Sequence, residues 1–147
     1  MIYELLSNKI QILDEAKDWK DAITKSAAPL LRDGNIEQEY VEAMIQMCEQ
    51  YDAYIVIADN FALPHATSKN GVNKMGVSLT VVKKPVDFIG KPVQVMLTLA
   101  AGNDNDHIEL LKEVAELMGD PSLIEQLINA SSVEEIDNII KENSLKI

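Results

Sequence analysis

The sequence predicts one α/β domain, a β-sheet covered by helices. Three observations predict it. The 147 residues are 47% hydrophobic, enough apolar material for one core of ordinary size. Short β-branched runs fill the middle of the chain, and helical periodicity fills both ends. No internal repeat, low-complexity stretch or linker divides residues 1–147. Aromatic residues make up only 5%, so Leu, Ile, Val, Ala and Met must build the core.

The elements follow in order. Ala16, Trp19, Ile23, Ala27 and Leu30 recur at helical spacing and predict a helix over residues 14–32. Pro29 should kink or loosen its last turns, and Gly34 ends it. Asn35 reads as the next N-cap, with Gln38 as capping-box partner, and the helix that follows buries Val41, Met44, Ile45 and Cys48. Cys48 therefore reads as core and not as a reactive thiol. "AYIVIA" (53–58) is short and β-branched, which predicts a strand. Asp59 and Asn60 then make a turn, Asn60 being the best non-glycine choice for a positive φ. Residues 61–63 resume an extended path into Pro64. Strands are expected over 75–82 and 93–100, separated by a loop marked by Pro85, Gly90 and Pro92. In the second strand Val93, Val95, Leu97 and Leu99 share a face. Asp106 and Glu109 read as the capping box of a helix with a buried stripe of Ile108, Leu111, Ala115 and Met118, ended by Gly119. Asp120-Pro121 starts another helix. Ser132 and Glu135 cap a last one carrying Ile136, Ile139 and Ile140.

Composition excludes several functions. A net charge of −11 and a pI near 4.5 repel nucleic-acid phosphates and anionic lipid, and favour a partner with a basic face. Cys48 is the single cysteine, so no internal disulfide forms. The start, "MIYELLSNKI", lacks the pattern of a signal peptide. The longest uncharged run, 92–103, is shorter than the roughly 20 apolar residues of a bilayer span. A cytoplasmic protein is expected. No nucleotide-binding glycine motif and no G-x-S-x-G elbow occurs.

The chemistry concentrates on two histidines. His65 stands in "FALPHAT", just past a strand and a turn. Pro64 fixes its own φ and restricts Leu63, so the backbone that aims His65 is stiff. Thr67 and Ser68 add hydroxyl donors. An imidazole with an ordinary pKa near 6.5 is a competent nucleophile at neutral pH. His107, 42 residues on, follows another strand and reads as the first residue of a helix. A helix N-terminus attracts phosphate and favours a neutral imidazole that donates one N–H. Strand exits are where α/β sheets place ligands. On these residues alone, a phosphoryl site and two ordinary histidines both stay open. A metal site of His65, His107, Asp104 and Asp106 has suitable ligands but no supporting spacing.

"IADNFALPHA" resembles the active-site segment of IIA domains of the sugar phosphotransferase system (PTS), in the mannitol/fructose group. "LLSNKIQILDEAKDWKDAI", "IEQEYVEAMIQMCEQ" and "DNDHIELLKEVAELM" resemble further segments of that family, and the likeness runs from about residue 2 to 141. "AYIVIA" followed by "ALPHA" is most similar to the ascorbate-type branch. The resemblance implies a mixed sheet with helices on both sides, over residues 1–147. It implies a phosphocarrier without cofactor or metal. His65 would take a phosphoryl group on Nε2 from HPr and pass it to a IIB component, for uptake of a sugar or sugar-like substrate such as ascorbate. His107 would stabilise that group, with Thr67 and Ser68 as further phosphoryl-binding donors. Membrane contact would be indirect, through a IIC permease. The alternative within the same fold is a regulatory module that senses phosphorylation and binds other proteins.

The sequence departs from the pattern of the family it resembles at several positions. Mannitol-type members resemble one another in an arginine some sixteen residues before the histidine, where Glu49 stands here. The ascorbate branch resembles itself in an arginine two residues after it, where Thr67 stands. The single arginine of the chain is Arg32. A guanidinium is the best phosphate clamp among side chains, so Lys69 or backbone N–H groups near His107 would have to serve instead. Asn60 stands where the family usually has glycine.

Overall fold

The computed structural model describes residues 2–67 and 70–146. Four of its helix starts are set by short polar side chains. Asp18, Asn103, Asp120 and Ser132 each accept a hydrogen bond from a backbone N–H in the first turn that follows, the usual N-cap arrangement. The elements run α1 (Ile2–Leu5), β1 (Ile10–Leu13), α2 (Trp19–Arg32), α3 (Gln38–Gln50), β2 (Val56–Ala58), β3 (Asn60–Ala62), β4 (Gly76–Phe88), β5 (Lys91–Ala100), α4 (Asp104–Met118), α5 (Pro121–Asn129) and α6 (Val133–Ser144). The sheet order is β1-β4-β5-β3-β2. β1–β4 and β3–β5 are parallel, while β4–β5 and β2–β3 are antiparallel.

This mixed sheet is covered on both faces, as expected. Val77, Leu79, Val81, Val95, Leu97 and Leu99 pack with Ile2, Leu6 and the apolar stripes of α4, α5 and α6. On the other side Val82, Phe88, Met96 and Ala100 pack with α2 and α3. Val93 joins this second group and not the face of Val95. The register passes from Asn60↔Val93 to Phe61↔Val95, so Gln94 is an extra bulged residue, and a bulge reverses the facing of what precedes it. The Gln94 amide donates to the carbonyls of Val82 and Lys83.

Several boundaries differ from expectation. Residues 14–18 are not helical, because Asp18 is the cap of α2. β1, with no expected counterpart, precedes them. Pro29 lies inside α2, which continues to Arg32. Proline lacks an N–H, so the Lys25 carbonyl four residues earlier loses its helical partner. Gln11 of β1 repairs this: its Nε2 donates to Lys25 O at 2.7 Å and to Thr80 Oγ1 at 2.9 Å. Asn35 is not an N-cap. Glu37 holds that position, its side chain making no capping bond, and Asn35 is buried, donating to the Met75 carbonyl at 3.0 Å. A Cβ at Gly76 would lie 2.7 Å from the Asn35 amide, which explains the glycine. Residues 53–55 are a turn, leaving β2 only three residues long. Pro85 lies within β4, opposite the bulge, and not in a loop.

The β4–β5 turn holds a local conflict. Ile89 and Gly90 join the paired residues Phe88 and Lys91, with φ of +53° and +93°. Two positive φ values match the twist of a tight hairpin, but a β-branched side chain is strained there. Ile89 is 44% exposed and loses little packing if replaced. Ile89→Asn should stabilise the protein by about 1 kcal/mol, read as a higher urea midpoint at unchanged slope.

Candidate functional site

The polypeptide reaches His65 through a short stiff path. Asn60 takes φ +62°, as its residue type suggested, and reverses β2 into β3. Phe61 and Ala62 are buried in opposite core groups, which anchors β3 on both faces of the sheet. Leu63 N donates to Ile55 O at 2.8 Å, and Pro64 O accepts from Leu99 N at 3.0 Å. Leu63, Pro64 and Ala66 are buried, while His65 between them is half-buried.

His107 arrives from the other strand exit. The cap of α4 is Asn103 and not Asp106: Asn103 Oδ1 accepts from Asp106 N at 2.8 Å. His107 therefore lies one turn inside the helix, and its own N–H is already bonded to Asn103 O at 3.1 Å. Only its ring is available for chemistry. The buried stripe is also one residue out of phase with expectation. It runs Leu110, Val114, Leu117 and Met118, whereas Ile108 is 51% exposed. His107 extends that stripe by one turn, being three residues before Leu110.

This rotation brings the two rings together. Their centroids are 5.6 Å apart with an interplanar angle of 49°. His65 Nδ1 lies 2.5 Å from Leu63 O. A carbonyl only accepts, so Nδ1 carries the proton and Nε2 keeps its lone pair. The His65 pKa is held below its ordinary value chiefly by burial, which outweighs the raising effect of the Leu63 carbonyl; His107 lowers it a little further. All of this describes a neutral, oriented imidazole at neutral pH. Beside it a recess of about 80 Å³ is lined by Ala66, Thr67, Ala101, Asn103, Asp104 and His107.

The other expected groups fare differently. Thr67 lines the recess, is exposed, and points its hydroxyl at Met47 Sδ at 3.8 Å. Ser68 and Lys69 lie outside the described residues. Glu49 pairs at the surface with Lys20 at 3.5 Å. Arg32 bonds Asp33 and the Asn8 carbonyl, none of them site residues. Among the described residues no group of three His, Cys, Asp or Glu side chains is placed to hold a metal. Two groups escaped the sequence reading. Tyr54 donates to the His65 carbonyl, with its ring edge-on to the imidazole at 5.3 Å. Tyr40, 1% exposed, accepts from Ala66 N at 3.2 Å and donates to Leu99 O at 2.9 Å. A tyrosine in an apolar stripe signals a hidden polar partner, but the sequence cannot say which.

The chain is similar to known proteins over most of its length. The family model described as "Phosphoenolpyruvate-dependent sugar phosphotransferase system, EIIA 2" matches residues 5–143. The chain is 32% identical over 135 residues to the mannitol-specific cryptic phosphotransferase enzyme IIA component of Escherichia coli (strain K12), spanning 90% of this chain and 92% of that protein. It is 30% identical over 138 residues to the ascorbate-specific PTS system EIIA component of Salmonella typhimurium, spanning 91% and 90%. The solution structure of the E. coli mannitol-specific cryptic IIA enzyme superposes with a TM-score of 0.89 at 30% identity, over 97% of this chain and 99% of that one.

Proposed function

Because the chain belongs to the EIIA 2 family of the phosphoenolpyruvate-dependent sugar phosphotransferase system, whose IIA components are phosphotransferases that carry phosphoryl groups, we propose that His65 Nε2 accepts the group from the phosphohistidine of HPr and delivers it to a IIB component. The observation that carries this reading is the bond from His65 Nδ1 to Leu63 O, which leaves Nε2 as the nucleophile. The Nε2 lone pair forms a bond to phosphorus as the P–N bond of the donor breaks, its electron pair returning to the donor ring. The Nδ1 proton stays in place, so the His65 ring becomes cationic, and the Leu63 carbonyl stabilises that charge. A cationic ring is also a good leaving group for onward transfer. His107, 5.6 Å away, donates to the phosphoryl oxygens, and Thr67 does so from the recess wall. Phosphoryl transfer needs such positioning and charge stabilisation more than covalent machinery. Asp104 in the same wall places a like charge near the group, which favours passing it on over storing it.

Residues 1–147 form one such domain in this reading. It works in the cytoplasm, and a IIC permease provides its indirect link to the membrane; no helix among the described residues is long and apolar enough to cross one. Relatives named for mannitol and for ascorbate support a sugar or sugar-like substrate for the whole system.

The test is incubation with enzyme I, HPr and phosphoenolpyruvate, followed by candidate IIB proteins. One acid-labile phosphoryl group per chain is expected, then its loss to a IIB. A chain that takes no label refutes the reading, and one that takes label but releases it to no IIB is a regulatory module. Acceptance should also report the His65 environment. A depressed pKa keeps the ring neutral to lower pH, so the single-turnover rate should fall on acidification with its midpoint below about 6.5. The ring titration followed by NMR should fall off over the same range, and a midpoint at or above 6.5 contradicts the burial effect.

A further inference from the structure

We infer that Tyr40 and Tyr54 are positioning residues that clamp a single peptide group, the one between His65 and Ala66, and thereby hold the His65 imidazole in its nucleophilic tautomer. The two polar ends of that peptide are each held by a tyrosine hydroxyl. Tyr54 Oη donates to the His65 carbonyl. The Ala66 N–H donates to Tyr40 Oη at 3.2 Å. Each hydroxyl has one proton to give. Tyr40 gives its own to Leu99 O at 2.9 Å, leaving a lone pair for Ala66. A peptide fixed at both ends cannot rotate, so the backbone on which the His65 side chain stands is fixed as well.

The surrounding chain is arranged around this contact. Tyr54 is delivered by a turn in which Asp52 and Ala53 take φ of +51° and +58°. Two consecutive non-glycine residues in the left-handed region are costly, and such strain persists only where the structure over-determines it. Ala53 N donates to Cys48 O at 2.8 Å, tying the turn to the end of α3. The Tyr54 ring then stands edge-on to the imidazole at 68°. Tyr40 reaches in from the start of α3 and bridges to Leu99 of β5, the strand that leads into α4 and His107. The clamp thus ties the His65 loop to the strand that carries its partner ring. Burial raises the pKa of both phenols, that of Tyr40 to about 12, so both stay protonated donors through the working pH range.

This inference rests on His65 as the phosphoryl acceptor, and its test separates the two. Tyr54→Phe, Tyr40→Phe and the double variant are made in the full chain and checked for fold by circular dichroism. The first readout is the NMR signature of the unphosphorylated His65 ring, which needs no phosphotransfer. The second is single-turnover acceptance from phospho-HPr across donor concentrations. Tyr54→Phe should change the ring from one Nδ1–H tautomer to a mixture. It should slow acceptance at saturating donor about tenfold without weakening donor binding, and the double variant should reach roughly 10²-fold. Tyr54 is the more exposed of the two, so its variant decides the matter if Tyr40→Phe fails to fold. A folded Tyr54→Phe protein with the wild-type tautomer and rate overturns the clamp, as does a loss confined to donor affinity. A wild-type chain that takes no label overturns the acceptor role instead, while the ring signature still decides the clamp.

Discussion

His65→Gln should reduce phosphoryl acceptance to the level of a control without protein. Glutamine keeps the volume and hydrogen-bonding capacity of the side chain but offers no nucleophilic nitrogen. Histidine occurs only at 65 and 107, and His107 lies one turn inside α4. The loss should exceed roughly 10³-fold, about 4 kcal/mol of transition-state stabilisation at 1.4 kcal/mol per decade. His107→Gln should behave differently. Label should still appear, but more slowly by about 10²-fold, the usual loss when one donor to a developing charge is removed. Peptide mapping of the labelled chain distinguishes the cases, and phosphate on the His65→Gln protein at wild-type rate would sink the assignment.

Phe61→Ala should be the most destabilising single change near the site. Phe61 is 1% exposed, pairs with Val95, and packs in the core group of Leu63, Leu97 and Leu99. Truncating a buried phenylalanine typically costs 3–5 kcal/mol through lost transfer energy and the cavity left behind. For a chain of this size that is a fall in Tm of roughly 6–20 °C. The effect should also reach function, since β3 is the rigid lead into Leu63-Pro64-His65. Urea unfolding measures the cost, and a value under about 1 kcal/mol would mean that the sheet collapses onto the vacated space and that β3 is less firmly anchored than described.

Much of the fold was legible because its signals are local. Asp120-Pro121 and Ser132 with Glu135 act within one turn of helix, and each does what its residue type suggests. Asn60 takes the positive φ that its side chain tolerates. The missed strand β1 is different in kind: its partner in the parallel pairing, Leu79 opposite Ile10, lies 69 residues away. Four residues of apolar alternation carry little weight until that partner is known. Gln11 shows the same limit, since its role is to satisfy a carbonyl that Pro29 orphans on another element.

The site divides along the same line. Residue identities singled out His65, its stiff proline lead and a second histidine at a strand exit, because nucleophilicity and backbone restriction are properties of a residue and its neighbours. Which face of α4 turns inward was not available from them. Ile108, Leu111, Ala115 and Met118 form an apolar stripe, yet the helix buries Leu110, Val114, Leu117 and Met118, and so carries His107 to within 5.6 Å of His65. Two stripes one residue apart differ little in intrinsic hydrophobicity, so the shape of the core chose between them. The tautomer of His65 and the tyrosine grip on its peptide depend on carbonyls and hydroxyls brought together from α3, β5 and the 63–66 segment. Such contacts exist only after folding, and there the sequence stops and the tertiary structure decides.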